Sequence, residues 1–306
     1  METVLVTGSA GFIGGHLTDR LLSKYMVIGV DNLSSGLSST WDQHISKKNF
    51  IPAPYDINSN KLEEVFENNK IKYVFHLAAK PGVAESIGNP ILSDITNING
   101  TVRALELSRK YNVERLIFSS SSSVYGGSSG APNFESDLPN PKSPYALQKL
   151  TGEKYCKLFS NELGLDTVSL RYFNVIGERQ RADSAYAAVL PAFSVCKGKN
   201  ISPTIFGDGL QSRDFCPVEN IVDANILAAE HKDSLRGEVF NVARGESISL
   251  LHLCEILDLK PPIFKDERPG DIKHSLANID KIKSVLGYRS TDNLEKEILR
   301  TSYFYK

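Results

Sequence analysis

A tyrosine and a lysine lie four positions apart at Tyr145 and Lys149, directly after the helix-initiating pair Ser143-Pro144. Residues four apart share one face of a helix, so the ammonium of Lys149 can lie near the phenol of Tyr145. A phenol has an ordinary pKa of about 10 and is a poor base at neutral pH. Because a nearby cation favours the phenolate, the spacing predicts a proton acceptor, although exposed tyrosine–lysine pairs are also common on helices.

Five consecutive serines, Ser119 to Ser123, follow an apolar run that is typical of a strand and ends at Phe118. Serine tracts often form flexible linkers, but here a strand precedes the run and Val124-Tyr125-Gly126 follows it. In a doubly wound sheet, ligands bind at the carboxyl ends of the strands. We therefore predict that these hydroxyls leave the strand at that edge and bind a substrate oxygen while Tyr145 removes its proton.

Three glycines with the spacing Gly-x-x-Gly-x-x-Gly separate the first apolar run from a helical pattern. Gly8 permits a tight turn, Gly11 allows the backbone to approach a pyrophosphate, and Gly14 allows the helix to pack closely on the strand. The next predicted strand ends in Asp31-Asn32, where an acidic residue is expected to bind the ribose hydroxyls of a dinucleotide. A carboxylate there repels a 2′-phosphate, so the pattern predicts NAD rather than NADP. The alternatives are a chance glycine cluster and a capping role for Asp31.

Short apolar runs alternate with amphipathic stretches through the first half of the chain. Strands are predicted around residues 4–6, 26–30, 73–77, 116–118 and 167–172, and helices around 12–23, 61–69, 91–111 and 145–163. Strands without polar alternation, separated by helices, indicate an α/β fold with a doubly wound parallel sheet of the Rossmann type. Proline and glycine become denser after Asn174. We expect a dinucleotide-binding domain over residues 1–174 and a smaller mixed α/β substrate-binding domain over 175–306, with a soft, partly interleaved boundary.

The composition is that of an ordinary globular enzyme. The 306 residues are 41% hydrophobic and carry a net charge of −1, which indicates neither a nucleic-acid partner nor a membrane surface. No apolar stretch is long enough to span a bilayer and the N-terminus lacks a signal-peptide pattern, so a cytoplasmic location is expected. The four cysteines are scattered and the six histidines show no paired ligand spacing, which predicts free thiols and no metal.

Together these motifs resemble the NAD-dependent nucleotide-sugar epimerases of the extended short-chain dehydrogenase/reductase superfamily, typified by UDP-glucose 4-epimerases. The resemblance covers nearly the whole chain. The matching stretches are Thr7-Gly8 through Asp31-Asn32, Asp56-Ile57, Phe75 to Ala79, Ser119 to Gly126, Tyr145 to Lys149, Arg171 to Asn174, Ser212 to Phe215, Arg268 to Asp271 and Leu286 to Tyr288.

The resemblance implies a mechanism: oxidation of the sugar at C4 by hydride transfer to NAD, rotation of the 4-keto sugar, and return of the hydride to the opposite face. It makes Tyr145 the base, Lys149 its electrostatic partner and a ligand of the nicotinamide ribose, and Ser121 the residue that binds the reacting hydroxyl. NAD is regenerated in each turnover and should stay bound. The residues implied at the cofactor are Gly8, Gly11, Phe12, Ile13, Gly14, Asp31, Asn32, Asp56, Ile57, Leu77, Ala78, Ala79, Asn97, Tyr145, Lys149 and Tyr172.

A second set of residues is implied at the UDP-sugar. Asn174 matches an asparagine that holds the UDP phosphates, and Asp271 matches a uridine-ribose ligand. Arg213 and Arg268 match arginines on the diphosphate, a role that suits guanidinium groups, although either arginine taken singly also fits a surface salt bridge. The full set is Ser121, Ser122, Ser123, Asn174, Val189, Arg213, Arg268, Asp271 and Ser275.

Ser275 carries the main indication of sugar specificity. In family members restricted to UDP-glucose and UDP-galactose a tyrosine occupies the matching position, and its absence leaves room for an N-acetyl group on C2 of the sugar. The stretches 171–180 and 185–191 also resemble the subgroup that acts on UDP-N-acetylglucosamine. The resemblance therefore predicts interconversion of UDP-GlcNAc and UDP-GalNAc, with UDP-Glc and UDP-Gal also accepted. The alternative is that Ser275 is merely a small surface residue.

Other proteins with the same fold are the main alternatives. Dehydratases place Asp-Glu, and UDP-glucuronate decarboxylases Glu, just before Val-Tyr-Gly, where this chain has Ser122-Ser123. The carboxylate needed for those reactions is therefore missing. A UDP-glucuronate 4-epimerase can share the serine run and stays open, as does a non-catalytic NAD-binding protein. Family members dimerise through two helices that match residues 91–111 and 145–163, so a homodimer is expected. The alternative is that the apolar faces of these helices pack within one chain.

Overall fold

The structure, a computed structural model, describes residues 1–127, 131–180, 189–267, 272–291 and 293–305. The chain divides into two compact units. The first unit consists of Met1–Val124, Pro141–Arg171 and Val222–Phe240, and the second of Tyr125–Asn140, Tyr172–Ile221 and Asn241–Lys306. The domain boundary expected from the sequence, near residue 174, stays a prediction.

The strands of the described residues are numbered along the chain. They are β1 (Thr3–Thr7), β2 (Met26–Val30), β3 (Phe50–Ala53), β4 (Ile71–His76), β5 (Arg115–Ser121), β6 (Thr167–Tyr172), β7 (Val175–Ile176), β8 (Thr204–Phe206), β9 (Ser212–Arg213), β10 (Cys216–Pro217), β11 (Glu238–Val242), β12 (Ile248–Ser249), β13 (Ile263–Lys265) and β14 (His274–Ser275).

The α-helices are numbered in the same way. They are α1 (Phe12–Leu21), α2 (Ser38–Ile45), α3 (Lys61–Glu67), α4 (Val83–Gly88), α5 (Pro90–Asp94), α6 (Gly100–Lys110), α7 (Pro144–Glu162), α8 (Val189–Lys199), α9 (Val218–Glu230), α10 (Leu250–Ile256), α11 (Asp280–Leu286) and α12 (Leu294–Tyr303). A π-helical segment, Ile95–Asn99, joins α5 to α6, and a 3₁₀ turn, Ser122–Tyr125, follows β5.

The main sheet has seven strands in the order β11-β6-β5-β4-β1-β2-β3 and lies largely in the first unit. β1 pairs in parallel with β2 and β4, while β2 pairs in the same sense with β3, and β4 with β5. Successive residues of a strand point to opposite faces, and Val4, Leu5 and Val6 of β1 are all completely buried. Both faces of the sheet are therefore covered, which confirms the predicted α/β class with a doubly wound parallel sheet.

The serine run differs from its prediction. The strand expected to end at Phe118 continues to Ser121, so only Ser122 and Ser123 leave it, in the 3₁₀ turn. The serines can extend a buried strand because their polar groups find partners. The hydroxyl of Ser120 donates to Glu153, and the carbonyl of Ser119 accepts from Lys149. The prediction that the whole run lies beyond the strand is therefore wrong for Ser119, Ser120 and Ser121.

One predicted helix also differs from its prediction, and two elements were not predicted. The helix predicted over 91–111 is a succession of α5, the π-helical segment and α6, and its first turn begins at Pro90. The side chain of Asn89 caps that turn by accepting the N–H of Leu92 at 3.1 Å. The structure also contains α2 and β3, which are not predicted from the sequence: α2 mixes polar with apolar residues, and β3 has only four residues, one of which is Pro52.

The second unit contains short strands and its own core. Its pairings are β10 with β7, β13 with β8, and a three-stranded arrangement in the order β12-β9-β14. The core lies between helices, with Leu190 and Phe193 of α8, Leu253 of α10 and Ile298 of α12 all buried. Among the helices that the structure describes, none combines the length and the apolar character required to cross a membrane.

Candidate active site

Tyr145 lies in the first turn of α7, where two side chains fix the backbone. Ser143 caps the helix by accepting the N–H of Ala146 at 3.2 Å, and Pro144 occupies the first helical position, where its missing N–H costs nothing. The backbone N–H of Tyr145 donates to the hydroxyl of Ser86 in α4 at 3.1 Å. The local sequence therefore starts α7 at Pro144, which places the predicted base, Tyr145, in the first turn of the helix.

The phenol of Tyr145 is hydrogen-bonded to the hydroxyl of Ser121 at the end of β5. Ser121 is itself held in place because its oxygen accepts the N–H of Ser123 at 3.2 Å. Burial raises the pKa of Tyr145 above its ordinary value, and the hydrogen bond to Ser121 opposes that shift. The structure thus brings the predicted base and the predicted hydroxyl-binding serine into direct contact.

Lys149 lies one helical turn after Tyr145 and is buried. Its Nζ donates to the carbonyl oxygen of Ser119 at 2.7 Å and lies 5.9 Å from the centre of the Tyr145 ring. Burial lowers the pKa of the Lys149 ammonium to about 8. The sequence predicts that this cation lowers the pKa of the phenol; in the structure the net shift of the Tyr145 pKa is upward, because loss of water around the phenol dominates.

One helical turn beyond Lys149, a buried ion pair joins α7 to β6, and a hydroxyl group joins the same pair to β5. The guanidinium of Arg171 donates to both carboxylate oxygens of Glu153 at 2.8 Å, and the hydroxyl of Ser120 donates to the same carboxylate at 2.5 Å. Glu153 follows Lys149 by one helical turn. No motif in the sequence predicts this network, but the four-residue spacing of Tyr145, Lys149 and Glu153 indicates a polar stripe on one face of the helix.

Ser122 and Ser123 lie in the 3₁₀ turn after β5. The hydroxyl oxygen of Ser123 is buried and has no hydrogen-bond partner within the described part of the chain. A buried hydroxyl without a partner is unfavourable unless a ligand or a water molecule forms a hydrogen bond with it. This group fits the prediction that the serine turn faces a bound polar molecule.

The glycine-rich turn between β1 and α1 leaves no room for side chains. A Cβ on Gly14 would lie 2.0 Å from the carbonyl oxygen of Gly8, and one on Gly8 would lie 2.9 Å from the N of Ala78. Gly8 also has a φ of +73°, which disfavours other residues. The helix begins after Gly11 without a side-chain cap. The backbone here forms the kind of cradle in which helix N-terminal amides bind phosphate.

The acidic residue that follows β2, Asp31, accepts two backbone N–H groups. One oxygen of Asp31 accepts the N–H of Ala10 at 3.0 Å and the other accepts the N–H of Leu33 at 2.8 Å. The capping alternative is therefore real, but each carboxylate oxygen can accept a second bond. Nearby, Asn32 donates to Asp56 at 2.6 Å, so two of the residues predicted at the cofactor touch each other. The next residue, Ile57, is buried in the hydrophobic core.

The loop after β4 is fastened to the π-helical segment. The side chain of Asn97 accepts the N–H of Lys80 at 2.8 Å and donates to the carbonyl of Lys80 at 3.2 Å. Asn97 also donates to Gln148 of α7 at 2.8 Å. On the other side of the loop, Leu77 donates its N–H to the carbonyl of Thr7 in β1. Leu77, Ala78 and Ala79 are thus placed beside the glycine-rich turn. The bond between Gln148 and Asn97 was not indicated by any motif in the sequence.

In the second unit, three of the residues predicted at the substrate form one cluster. Asn174 donates to the hydroxyl oxygen of Ser275 at 3.0 Å and to the carbonyl of Asp214 at 3.1 Å. β9 and β14 pair in parallel, with Arg213 opposite Ser275. Arg213 donates to the carbonyl of Ser212 at 2.9 Å.

The other predicted residues lie elsewhere in the chain. Val189 begins α8, and Tyr172 is buried at the end of β6. Arg268 and Asp271 lie outside the described residues.

Asp214 organises this cluster, although it was not among the residues predicted at the substrate and belongs only to the matching stretch Ser212 to Phe215. Its carboxylate accepts three backbone N–H groups, from Arg244 and Gly245 at 3.0 Å and from Ala277 at 3.3 Å. Burial nevertheless raises the pKa of Asp214 to about 6. The carboxylate thus joins the segment after β11 to the segment after β14, and the backbone N–H of Asp214 donates to the carbonyl of Ser275 at 2.8 Å.

Comparisons with known proteins identify the family of this chain. The NAD-dependent epimerase/dehydratase family matches residues 4–243 of this chain. The chain belongs to that family. A UDP-N-acetylglucosamine 4-epimerase from Methanobrevibacter ruminantium, solved with UDP-N-acetylmuramic acid, is 39% identical, with a TM-score of 0.93 over 99% of this chain and 98% of that one.

Two further solved epimerases are similar over the same extent. A UDP-glucose 4-epimerase from Thermotoga maritima with UDP-glucose is 36% identical, with a TM-score of 0.91 over 99% of this chain and 98% of that chain. A UDP-glucuronic acid 4-epimerase from Bacillus cereus with UDP-glucuronic acid and NAD is 32% identical, with a TM-score of 0.90 and the same coverage. This chain is accordingly an NAD-dependent UDP-sugar 4-epimerase, which is an isomerase.

The residues of this epimerase fit NAD. The glycine cradle admits a pyrophosphate against bare backbone, and Asp31 offers a carboxylate at the end of β2. The hydroxyl of Ser123, which has no partner among the described residues, lies in the turn after β5. Within the described residues, no group of three or more His, Cys, Asp or Glu side chains is arranged to hold a metal ion. The absence of a metal stays a prediction.

Replacing Gly14 with alanine should damage both the fold and the NAD site of the epimerase. The new Cβ would meet the carbonyl oxygen of Gly8 at 2.0 Å, so α1 must move away from β1. We expect a loss of about 1–3 kcal/mol in the free energy of unfolding and at least about a tenfold loss in NAD affinity. Thermal melting and the NAD content of the purified protein measure the two effects.

Gly88→Ala is the matched control, because nothing lies within 4 Å of a Cβ built on Gly88 at the end of α4. That variant should melt like the wild type and retain its NAD. If Gly14→Ala also kept the wild-type NAD content and melting temperature, the close approach of helix and strand would not matter for either property.

Proposed function

We propose that this epimerase interconverts UDP-GlcNAc and UDP-GalNAc and also accepts UDP-Glc and UDP-Gal. The observation that carries the proposal is Ser275, which lies in the same cluster as Asn174 and Arg213. Where the restricted family members carry a phenol, this chain has a hydroxymethyl group. The likeness to a UDP-N-acetylglucosamine 4-epimerase supports the same choice of sugar.

The catalytic assignment rests on Tyr145, Ser121 and Lys149. NAD, when bound, supplies the group that takes a hydride from C4 of the sugar and gives it back. We assign to the Tyr145 oxygen the removal of the C4 hydroxyl proton and its later return. Ser121, already bonded to that phenol, holds the reacting hydroxyl, and the buried ammonium of Lys149 stabilises negative charge as it develops on the ring.

The remaining site residues are proposed in their predicted roles. Asn174 and Arg213 would bind the diphosphate through amide and guanidinium donors. In the structure the amide of Asn174 already donates to the Asp214 carbonyl at 3.1 Å and to Ser275 at 3.0 Å, so one of these bonds would have to be exchanged for a bond to the diphosphate. The guanidinium of Arg213 is held by the carbonyl of Ser212 at 2.9 Å and is thereby oriented before a ligand arrives. Pre-orientation of this kind lowers the entropy lost on binding.

Substitution of Ser275 by tyrosine tests the proposed substrate. We expect the wild type to convert UDP-GlcNAc and UDP-Glc, without added NAD, and to leave UDP-glucuronate unchanged. The variant should lose at least about tenfold in kcat/KM for UDP-GlcNAc relative to UDP-Glc, because the phenol fills the space proposed for the acetyl group. Initial rates with product identification for each sugar provide the measurement.

Ser275→Ala is the control for this substitution. It removes the hydrogen bond from Asn174 at 3.0 Å but adds no bulk, so the preference between the two sugars should not change. Turnover of UDP-glucuronate by the wild type in place of the acetylated sugar would instead favour the alternative represented by the Bacillus cereus relative.

A homodimer remains part of the proposal. Helices of the first unit expose large apolar side chains: Ile87 of α4 is 62% exposed, Ile91 of α5 75% and Leu147 of α7 54%. These lie on or beside the two helical stretches expected to pair with a second copy. The cytoplasmic location also stays a prediction.

A further inference from the structure

His76, the last residue of β4, is an ionisable side chain to which no catalytic or binding role has been assigned so far. It is 1% exposed and its ring lies nearly parallel to that of Phe118, with 6.0 Å between ring centres. Burial, aided by the charge of Lys149, lowers the pKa of His76 to about 3. The imidazole is therefore neutral at physiological pH, with one nitrogen that donates and one that accepts.

The hydrogen bonds of the ring fix which nitrogen carries the proton. The hydroxyl of Thr101 donates to the carbonyl of Asn97 at 2.7 Å, so its oxygen can only accept from His76 Nε2 at 3.0 Å. Nε2 must therefore be the protonated nitrogen. His76 Nδ1 then accepts from the hydroxyl of Thr7 at 2.9 Å.

The same chain of bonds continues beyond Thr7. The Thr7 hydroxyl donates a hydrogen bond to the imidazole, and its oxygen accepts the backbone N–H of Ala78 at 3.1 Å. Every donor from Ala78 to Asn97 thus points the same way: the Ala78 N–H, the Thr7 hydroxyl, the His76 Nε2–H and the Thr101 hydroxyl. Buried polar networks of this kind are stable only when every member has its partner.

The chain connects three segments that carry residues implied at the cofactor. Thr7 immediately precedes Gly8, Ala78 lies in the loop after β4, and Asn97 fastens that loop through Lys80. Thr101 is in the first turn of α6, just after the π-helical segment that contains Asn97. His76 is hydrogen-bonded to both Thr7 and Thr101 and so joins these segments.

We propose that His76, as a neutral imidazole protonated only at Nε2, is a positioning residue that holds the glycine-rich turn, the loop after β4 and the π-helical segment in the arrangement that binds NAD. The histidine acts through Thr7 and Thr101 rather than by touching the cofactor. The proposal concerns the NAD site and does not depend on which sugar is turned over.

Thr101→Val tests this proposal, because it preserves the shape of the side chain and removes the acceptor of the His76 Nε2–H. In the intact enzyme we expect bound NAD to exchange with isotopically labelled NAD about tenfold faster than in the wild type. Thr101→Ser, which keeps the hydroxyl, should exchange within about twofold of the wild-type rate.

Ser108→Ala is the control for a purely structural effect. Ser108 is buried in the same helix and makes the same kind of bond, from its hydroxyl to the carbonyl of Ala104 at 2.7 Å, without connection to His76. Its NAD exchange should match the wild type even if its melting temperature falls. If Thr101→Val lowered the melting temperature but left NAD exchange unchanged, His76 would be only a core residue and the proposal would be wrong.

Nitrogen spectroscopy of histidine-labelled enzyme provides a second readout that does not involve activity. The imidazole whose signals move in Thr101→Val should show a proton on Nε2 only and should not titrate between about pH 5.5 and 8.5. A proton on Nδ1, or a titration within that range, would contradict the directed chain of hydrogen bonds.

Discussion

Tyr145→Phe should reduce kcat with UDP-GlcNAc by about 10³-fold, within the range that loss of a general base usually produces, while NAD stays bound. The substitution removes one oxygen, the group that is hydrogen-bonded to Ser121. The ring, its position in α7 and the neighbouring Lys149 remain. Initial rates under saturating sugar, together with the NAD content of the purified variant, measure the two halves of this expectation.

Tyr155→Phe is the matched control for that experiment. Tyr155 belongs to the same helix and is partly buried against the hydrophobic core, and no role in the reaction is assigned to it. Its turnover should stay within about twofold of the wild type, because a phenol oxygen away from the site contributes nothing to proton transfer. If Tyr145→Phe and Tyr155→Phe turned over equally well, another group would have to be the base.

The predicted features that depend on short-range geometry are present in the structure. The four-residue spacing places Lys149 near Tyr145, and Ser143-Pro144 starts the helix. The sign of the Tyr145 pKa shift could not be predicted in this way. That sign depends on how deeply the phenol is buried, and burial is decided by elements distant in the chain, including the end of β5.

Long-range contacts limit the rest of the sequence analysis. Ser120 extends β5 because its hydroxyl meets Glu153, 33 residues later, and Asn174 meets Ser275 across 101 residues. No periodicity or local propensity encodes such pairings, so the serine run was expected to leave the strand too early. The substrate cluster was anticipated only through the resemblance to a family, and Asp214, which fixes it, was not singled out.

Arg171→Met should cost about 3–5 kcal/mol in the free energy of unfolding, because it leaves the Glu153 carboxylate buried without its cation. Both side chains are almost completely buried, at 4% and 3% exposure, and two bonds of 2.8 Å join them. By contrast, Arg20 and Asp223 form a pair at 2.9 Å with side chains 50% and 44% exposed. Arg20→Met should therefore cost no more than about 1 kcal/mol.

The double variant Glu153→Leu with Arg171→Met separates two quantities: the net contribution of the ion pair to the free energy of unfolding, and the loss of stability when Glu153 is left without its partner. Removing both charges leaves the Ser120 hydroxyl without its acceptor but no longer leaves a buried carboxylate without its cation, so the double variant should be more stable than Arg171→Met alone. Urea unfolding followed by two spectroscopic probes gives the three free energies and shows whether the transition is two-state. Arg171→Met would contradict this expectation if it lowered the free energy of unfolding by no more than Arg20→Met does. Water or rearranged neighbours would then have to solvate Glu153, and the ion pair with Arg171 would not be what stabilises the polar face of α7.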